Sequence, residues 1–173
     1  VRRQRQMCIR DSLILAIALT FLFSLSACKK EAETVTLQIP YSCELTIKSN
    51  EKDSNTYKSS LSRKENSWQV TYTEPESING MIITFSNDTY KIKLDELEFD
   101  ANRDELPDSA ISTMIISALD KTTLSSNVEY KTNDGCTVAS GTIGEKDYEL
   151  IFKNDIPQTL KISDYTVTFL SFK

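Results

Sequence analysis

Apolar and polar residues alternate with a period of two over most of the chain, the pattern of strands that bury one face. Val35, Leu37 and Ile39 alternate with polar residues, and Cys43, Leu45 and Ile47 resume the pattern after Pro40-Tyr41. Asn50 to Asn55 reads as a turn, and Tyr57 to Arg63 as a polar strand at an edge or facing solvent. Trp68, Val70 and Tyr72 alternate, and Pro75 to Gly80 turns the chain. Met81, Ile83 and Phe85 follow, then a turn at Ser86-Asn87-Asp88, then Tyr90, Ile92 and Leu94. The phase slips at Leu97 and Phe99, which predicts a bulge at Asp95-Glu96. Later strands are marked by Val128 and Tyr130, Cys136 and Val138, Tyr148 to Phe152, Leu160 and Ile162, and Tyr165 to Phe169. One segment, Pro107 to Lys121, has the three-and-four spacing of a helix in Ile111, Met114, Ile115, Ala118 and Leu119. Pro107 suits the first turn and Asp108 the positive end of the dipole. The expectation is a mainly β (α+β) domain: a curved antiparallel sheet of roughly ten strands with one helix packed on it.

The N-terminal region has a different pattern. Leu13 to Phe23 is an unbroken apolar run, long enough for a signal-peptide core and too short for a spanning helix, which needs about 20 residues. Leu25-Ser26-Ala27-Cys28 then resembles a bacterial lipobox, and a polar exit, Lys29-Lys30-Glu31, follows. The resemblance implies a diacylglycerol on the Cys28 sulfur and cleavage before it, so that Cys28 becomes the first mature residue. The plain alternative is a short apolar helix that happens to end in Ala-Cys. Residues 1–12 contain Met7-Cys8-Ile9-Arg10-Asp11-Ser12, which resembles the translated end of a transposase sequencing adapter. They are expected to be an assembly scar, and a genuine Arg-rich leader is the alternative. The expected organisation is a leader over 1–27, a lipidated tether over 28–34 and one domain over 35–173. The expected location is the outer face of the bacterial cytoplasmic membrane, held there by the lipid on Cys28.

Composition is that of a globular protein, with 39% hydrophobic residues and a formal charge of -5. Removing 1–27, with four Arg and one Asp, takes that charge to -8. An acidic chain is a poor partner for nucleic acid and for anionic lipid heads, so the lipid must supply the membrane attachment. The chain has no histidine, which removes Ser-His and Cys-His catalysis and His-ligated zinc. Cys43 and Cys136 are the cysteines beyond the anchor; outside the membrane they either form a disulfide or stay as buried thiols. Asp100, Asn102 and Asp104 open like a calcium loop, but Glu105 and Ile111 stand where glycine and glutamate are needed. The plain reading is a solvated acidic face. No cofactor or metal is expected. Asn87-Asp88-Thr89 fits a glycosylation sequon that the bacterial leader discounts.

The order of these features resembles the lipoprotein-carrier superfamily of LolA/LolB and LppX/LprG, closest to its small Gram-positive lipoproteins, some linked to sporulation and germination. The residues carrying the likeness are Trp68, Pro75, Gly80, the Ile83–Leu97 hairpin, Leu106-Pro107, the helix to Asp120 and the strand start at Pro157. What the resemblance implies is an unclosed β-barrel with a helix on its concave face, over about Cys43 to Phe172. It also implies an apolar cavity for a lipid, an acyl chain or a lipidated protein. The lining would be Trp68, Val70, Ile83, Phe85, Ile92, Leu94, Met114, Ile115, Leu119, Leu150, Phe152 and Phe169. These residues are also what a packed core needs. The alternative is therefore a non-enzymatic interaction module of the envelope or spore surface, with a filled core, that docks another protein by its rim or edge strand. A carboxylate-based wall hydrolase ranks below both, because nothing singles out two acids.

Overall fold

Six two-residue turns among the described residues set the register of the sheet. Lys64 pairs with Ser67, Leu94 with Leu97, Asn133 with Cys136, Ile143 with Lys146, Lys153 with Ile156 and Ile162 with Tyr165. The first turn residue has a positive φ in all six: Glu65, Asp95, Asp134, Gly144, Asn154 and Ser163. Such turns match the right-handed twist of the strands they join. They also put residues i and i+3 opposite each other on one face. The phase slip between Leu94 and Leu97 therefore marks a tight hairpin, and the bulge expected at Asp95-Glu96 is not there. Register does shift at two other places, between Lys58 and Ser59 and between Pro157 and Thr159.

The protein is described by a computed structural model over residues 35, 41–50, 55–86, 89–102, 105, 110–124 and 127–172. The leader, Cys28 and the tether lie outside the described residues, as do Leu37, Ile39, Asp104 and residues 106–109 with Pro107 and Asp108. The strands are β1 (Tyr41–Ser49), β2 (Thr56–Lys64), β3 (Ser67–Glu74), β4 (Ile82–Ser86), β5 (Thr89–Leu94) and β6 (Leu97–Asn102). The helix α1 (Ile111–Leu124) comes next. Then follow β7 (Glu129–Asn133), β8 (Cys136–Ile143), β9 (Lys146–Lys153), β10 (Ile156–Ile162) and β11 (Tyr165–Leu170). They form one antiparallel sheet of 11 strands in the order β6-β5-β4-β3-β2-β1-β11-β10-β9-β8-β7. The sheet is not closed into a barrel: β6 and β7 are its two edges. The polar strand β2 lies between β1 and β3, not at an edge. Only Ser59 and Leu61 of it are buried, because its other residues look out from the convex side or lie near the rim.

The chain leaves one edge at β6 and must start again at the other edge with β7. Helix α1 makes that crossing on the concave side. Its first helical hydrogen bond runs from the Met114 amide to the Ala110 carbonyl at 3.0 Å, so it starts later than the sequence predicts. It also runs past Lys121 to Leu124. Thr123 there returns its hydroxyl to the Leu119 carbonyl at 3.0 Å, and Thr122 is buried against the sheet. Both threonine hydroxyls thus have partners, although threonine is a poor helix former.

Cys43 and Cys136 are free thiols, so the disulfide that the sequence left open is not formed. Cys43 is on β1 and Cys136 opens β8, four strands away, which is about 19 Å along the sheet at the usual strand spacing. Bridging needs Cα atoms within about 7 Å. Burial pushes the Cys43 thiol up to about 11 from 9.0, against the lowering effect of its 3.5 Å hydrogen bond with the Tyr41 hydroxyl. The fold therefore favours the neutral thiol: this stabilisation is complete below pH 9.0 and is lost as pH rises towards 11. Thiol titration should find two reactive groups besides Cys8 and Cys28 after unfolding without reductant, and slow labelling of Cys43 in the native protein at pH 8. Labelling of native Cys43 at the unfolded rate would contradict its buried place on β1.

Candidate functional site

Nearly the whole circumference of α1 is buried: Ser112, Thr113, Met114, Ile115, Ile116, Ala118, Leu119 and Thr122. Apolar contacts cannot satisfy the hydroxyls in that list, and aromatic tips on the sheet do so instead. The Tyr72 hydroxyl on β3 meets Ser112 Oγ at 2.6 Å, and the Tyr148 hydroxyl on β9 meets Thr122 Oγ1 at 3.1 Å. The Tyr130 hydroxyl on β7 donates to the Thr122 carbonyl. Burial raises the pKa of all three phenols, so they stay protonated. Tyr148 needs room, and Gly141 on the paired strand supplies it: a Cβ there would sit 2.9 Å from the tyrosine ring. Sequence reasoning missed these pins; the signal available was tyrosine at the alternating, inward-facing positions.

A fourth pin is charged. Trp68 Nε1 donates to Asp120 Oδ1 at 3.0 Å, and the Arg63 guanidinium lies 3.6 Å from the same oxygen. Arg63 and Trp68 are direct neighbours across β2 and β3, with the guanidinium 4.9 Å from the ring centroid, a cation–π contact. Together with Phe85, Ile116 and Leu124 they line a recess of about 290 Å³. That is at the lower limit for small-molecule sites, and one wall is charged. Two larger recesses, of about 600 and 370 Å³, have mostly polar walls such as Lys91, Asp100 and Glu105 in one and Glu129, Asp147 and Glu149 in the other. None of the three is an enclosed apolar cavity.

Of the twelve residues picked out by the sequence, Trp68, Val70, Ile83, Phe85, Met114, Ile115, Leu119, Leu150, Phe152 and Phe169 are buried in one continuous core. Trp68 and Phe85 also reach the small recess. Ile92 and Leu94 are only half-buried. They stand where the concave face runs out of cover. One cross-strand row passes through Val70, Ile83, Ile92 and Phe99. Exposure rises along it from 0% at Val70 and 8% at Ile83 to 57% at Phe99. Next to it Leu94 pairs with Leu97, which is 75% exposed. Ile92, Leu94, Leu97 and Phe99 thus form an uncovered apolar strip at the open edge. Leu97 and Phe99 were not among the expected site residues. Their alternation marks a half-buried strand, but not that the strand lies beyond the reach of the helix.

On the opposite face of the same hairpin, Lys91 Nζ lies 2.6 Å from Glu98 Oε1 and 3.6 Å from Asp100 Oδ1. The contact with Lys91 lowers the Glu98 pKa and raises that of Lys91. Part of the acidic face predicted around residues 95–105 is therefore paired with lysine. Asp120→Ala would remove the shared acceptor and leave Arg63 and the Trp68 N–H in a half-buried recess. A loss of about 1–3 kcal/mol is expected in denaturant unfolding, with a shift in emission from Trp68, the one tryptophan of the chain. An unchanged midpoint and spectrum would show that the pin does not hold the helix.

No protein-family model matches the sequence, and no curated protein does either. Solved structures do match. A LolA superfamily protein from Nitrosomonas europaea is 10% identical with a TM-score of 0.53, over 83% of this chain and 90% of that one. A putative outer membrane lipoprotein-sorting protein domain from Vibrio parahaemolyticus is 10% identical at a TM-score of 0.44, over 80% and 86% of the two chains. A structure of the CwlD amidase from Clostridioides difficile in complex with the GerS lipoprotein matches at 14% identity and a TM-score of 0.41, over 86% and 85%. The last two are too loose to carry an argument, and at this identity the first speaks for the fold alone. The open sheet of 11 strands, its single crossing helix among the described residues and that match agree: the chain has a LolA-like fold.

Proposed function

We propose that this protein is an exported, lipid-anchored, non-enzymatic docking module of the bacterial envelope that engages a protein partner at the open edge of its half-barrel. The observation that carries this reading is the contrast between a buried core and an exposed apolar edge. Ten of the twelve inward-facing candidates are packed against one another or against α1, while Leu97 and Phe99 stay exposed next to them. Exposed apolar patches on an otherwise well-packed domain mark interaction sites. The lipobox at Leu25 to Cys28 supports the anchor, which would tether the domain to the membrane. The absence of histidine from the sequence gives no support to Ser-His or Cys-His catalysis.

A second reading, an acyl chain laid along the strip, draws support from the apolar character of Ile92, Leu94, Leu97 and Phe99 and from the LolA-like fold. Each methylene covered there would gain about 0.8 kcal/mol. A photoreactive amino acid placed at position 99 of the full chain in its native cells separates the two. A protein adduct is expected, absent when the same group stands at Ile156 on a different strand. A lipid adduct alone would favour the second reading, and no adduct from position 99 would sink both. For the anchor, Cys28→Ser should abolish incorporation of labelled fatty acid into the protein. Retained label would overturn lipidation at Cys28.

A further inference from the structure

Strand β6 ends the sheet, and no described strand pairs with its outer side. In a two-residue hairpin the residues flanking the turn form a hydrogen-bonded pair, so Leu94 and Leu97 bond to each other. Pairs alternate in an antiparallel ladder, so Phe99 and Ala101 also turn their backbone groups towards β5. Glu98, Asp100 and Asn102 therefore turn theirs outward. One contact confirms the direction: the Asn102 amide is occupied by Glu105 Oε2 at 3.1 Å. Glu98 and Asp100 remain, and both residues are exposed.

We infer that β6 takes an added antiparallel strand from a partner protein, in which apolar residues alternate with basic ones. This rests on the docking reading above and names the chemistry of the partner. The backbone of Glu98 and Asp100 would bond to the incoming strand, as in other strand-addition complexes. Apolar partner side chains would fall opposite Leu97 and Phe99 and extend the concave face by one strand. Basic side chains would fall opposite Glu98 and Asp100 on the other face. There they would continue an order already begun, since β5 presents Lys91 and Lys93 to the same two acids. A second copy of this chain does not fit. Antiparallel pairing of two β6 strands sets Glu98 against Asp100, and like charges directly opposite each other are destabilising.

The test uses the isotope-labelled full chain in detergent micelles and two synthetic peptides, one alternating valine with lysine and the other valine with glutamate. The lysine peptide is expected to bind about 10-fold more tightly or better, and to slow hydrogen exchange at the Glu98 and Asp100 amides. Glu98→Pro removes one outward N–H while leaving the bonds to β5 in place, and should weaken binding of the lysine peptide by about 10-fold. Should that variant unfold, the pair Glu98→Lys with Asp100→Lys tests the same point, because it should reverse the preference between the peptides. Equal affinity for the two peptides, or binding without slowed exchange at positions 98 and 100, would overturn strand addition. If in that case position 99 still crosslinks to a protein in cells, the docking reading stands and this inference alone fails. If neither gives a signal, both fail.

Discussion

Helix α1 has to be buried on almost every side, and the rest of the architecture answers that demand. The strand order leaves β6 and β7 at opposite edges, so the chain between them must cross the sheet. Fourteen helical residues span about 21 Å of that distance. A flat sheet would cover one face of such a helix. A curled sheet wraps it, which is why Ser112, Thr113 and Thr122 are buried along with Met114, Ile115 and Leu119. Polar groups in that position are costly unless they are matched. Tyr72, Tyr130 and Tyr148, together with Trp68, match most of them with long, rigid side chains that stay apolar until the tip. The Thr113 hydroxyl has no partner among the described residues, and neither do Ser59 Oγ and Arg63 Nε on β2, so the matching is incomplete.

The sequence made the fold readable for a specific reason. A sheet with one wet and one dry face writes its strands as period-two alternation, and ten of the twelve residues read as inward-facing are buried. The helix was readable because Ile111, Met114, Ile115, Ala118 and Leu119 share a face. What the pattern could not supply was position within the sheet. A polar strand such as β2 looks like an edge, yet curvature and a solvated convex side allow it to sit next to β1 in the middle. The reverse holds for β6: Leu97 and Phe99 look like core and are exposed. Alternation records which way a side chain points and says nothing of what lies across from it. For the same reason the pattern placed twelve residues facing inward, of which ten are buried and Ile92 and Leu94 stand towards an open strip at one end.

That strip follows from the topology. One helix cannot cover a concave face 11 strands wide, and α1 binds the sheet chiefly through β3, β7, β8 and β9. The β5–β6 hairpin extends past it. An edge of this kind invites unwanted pairing, and soluble proteins usually blunt it with charge. Here the charges are placed with more discrimination than blunting needs. Lys91 and Lys93 on β5 face Glu98 and Asp100 on β6, so the hairpin is satisfied internally while its outermost row remains acidic. An acidic row next to exposed Leu97 and Phe99 repels its own copy and tolerates a basic, apolar strand. The feature that keeps the edge from self-association is thus the same one that would give it a choice of partner.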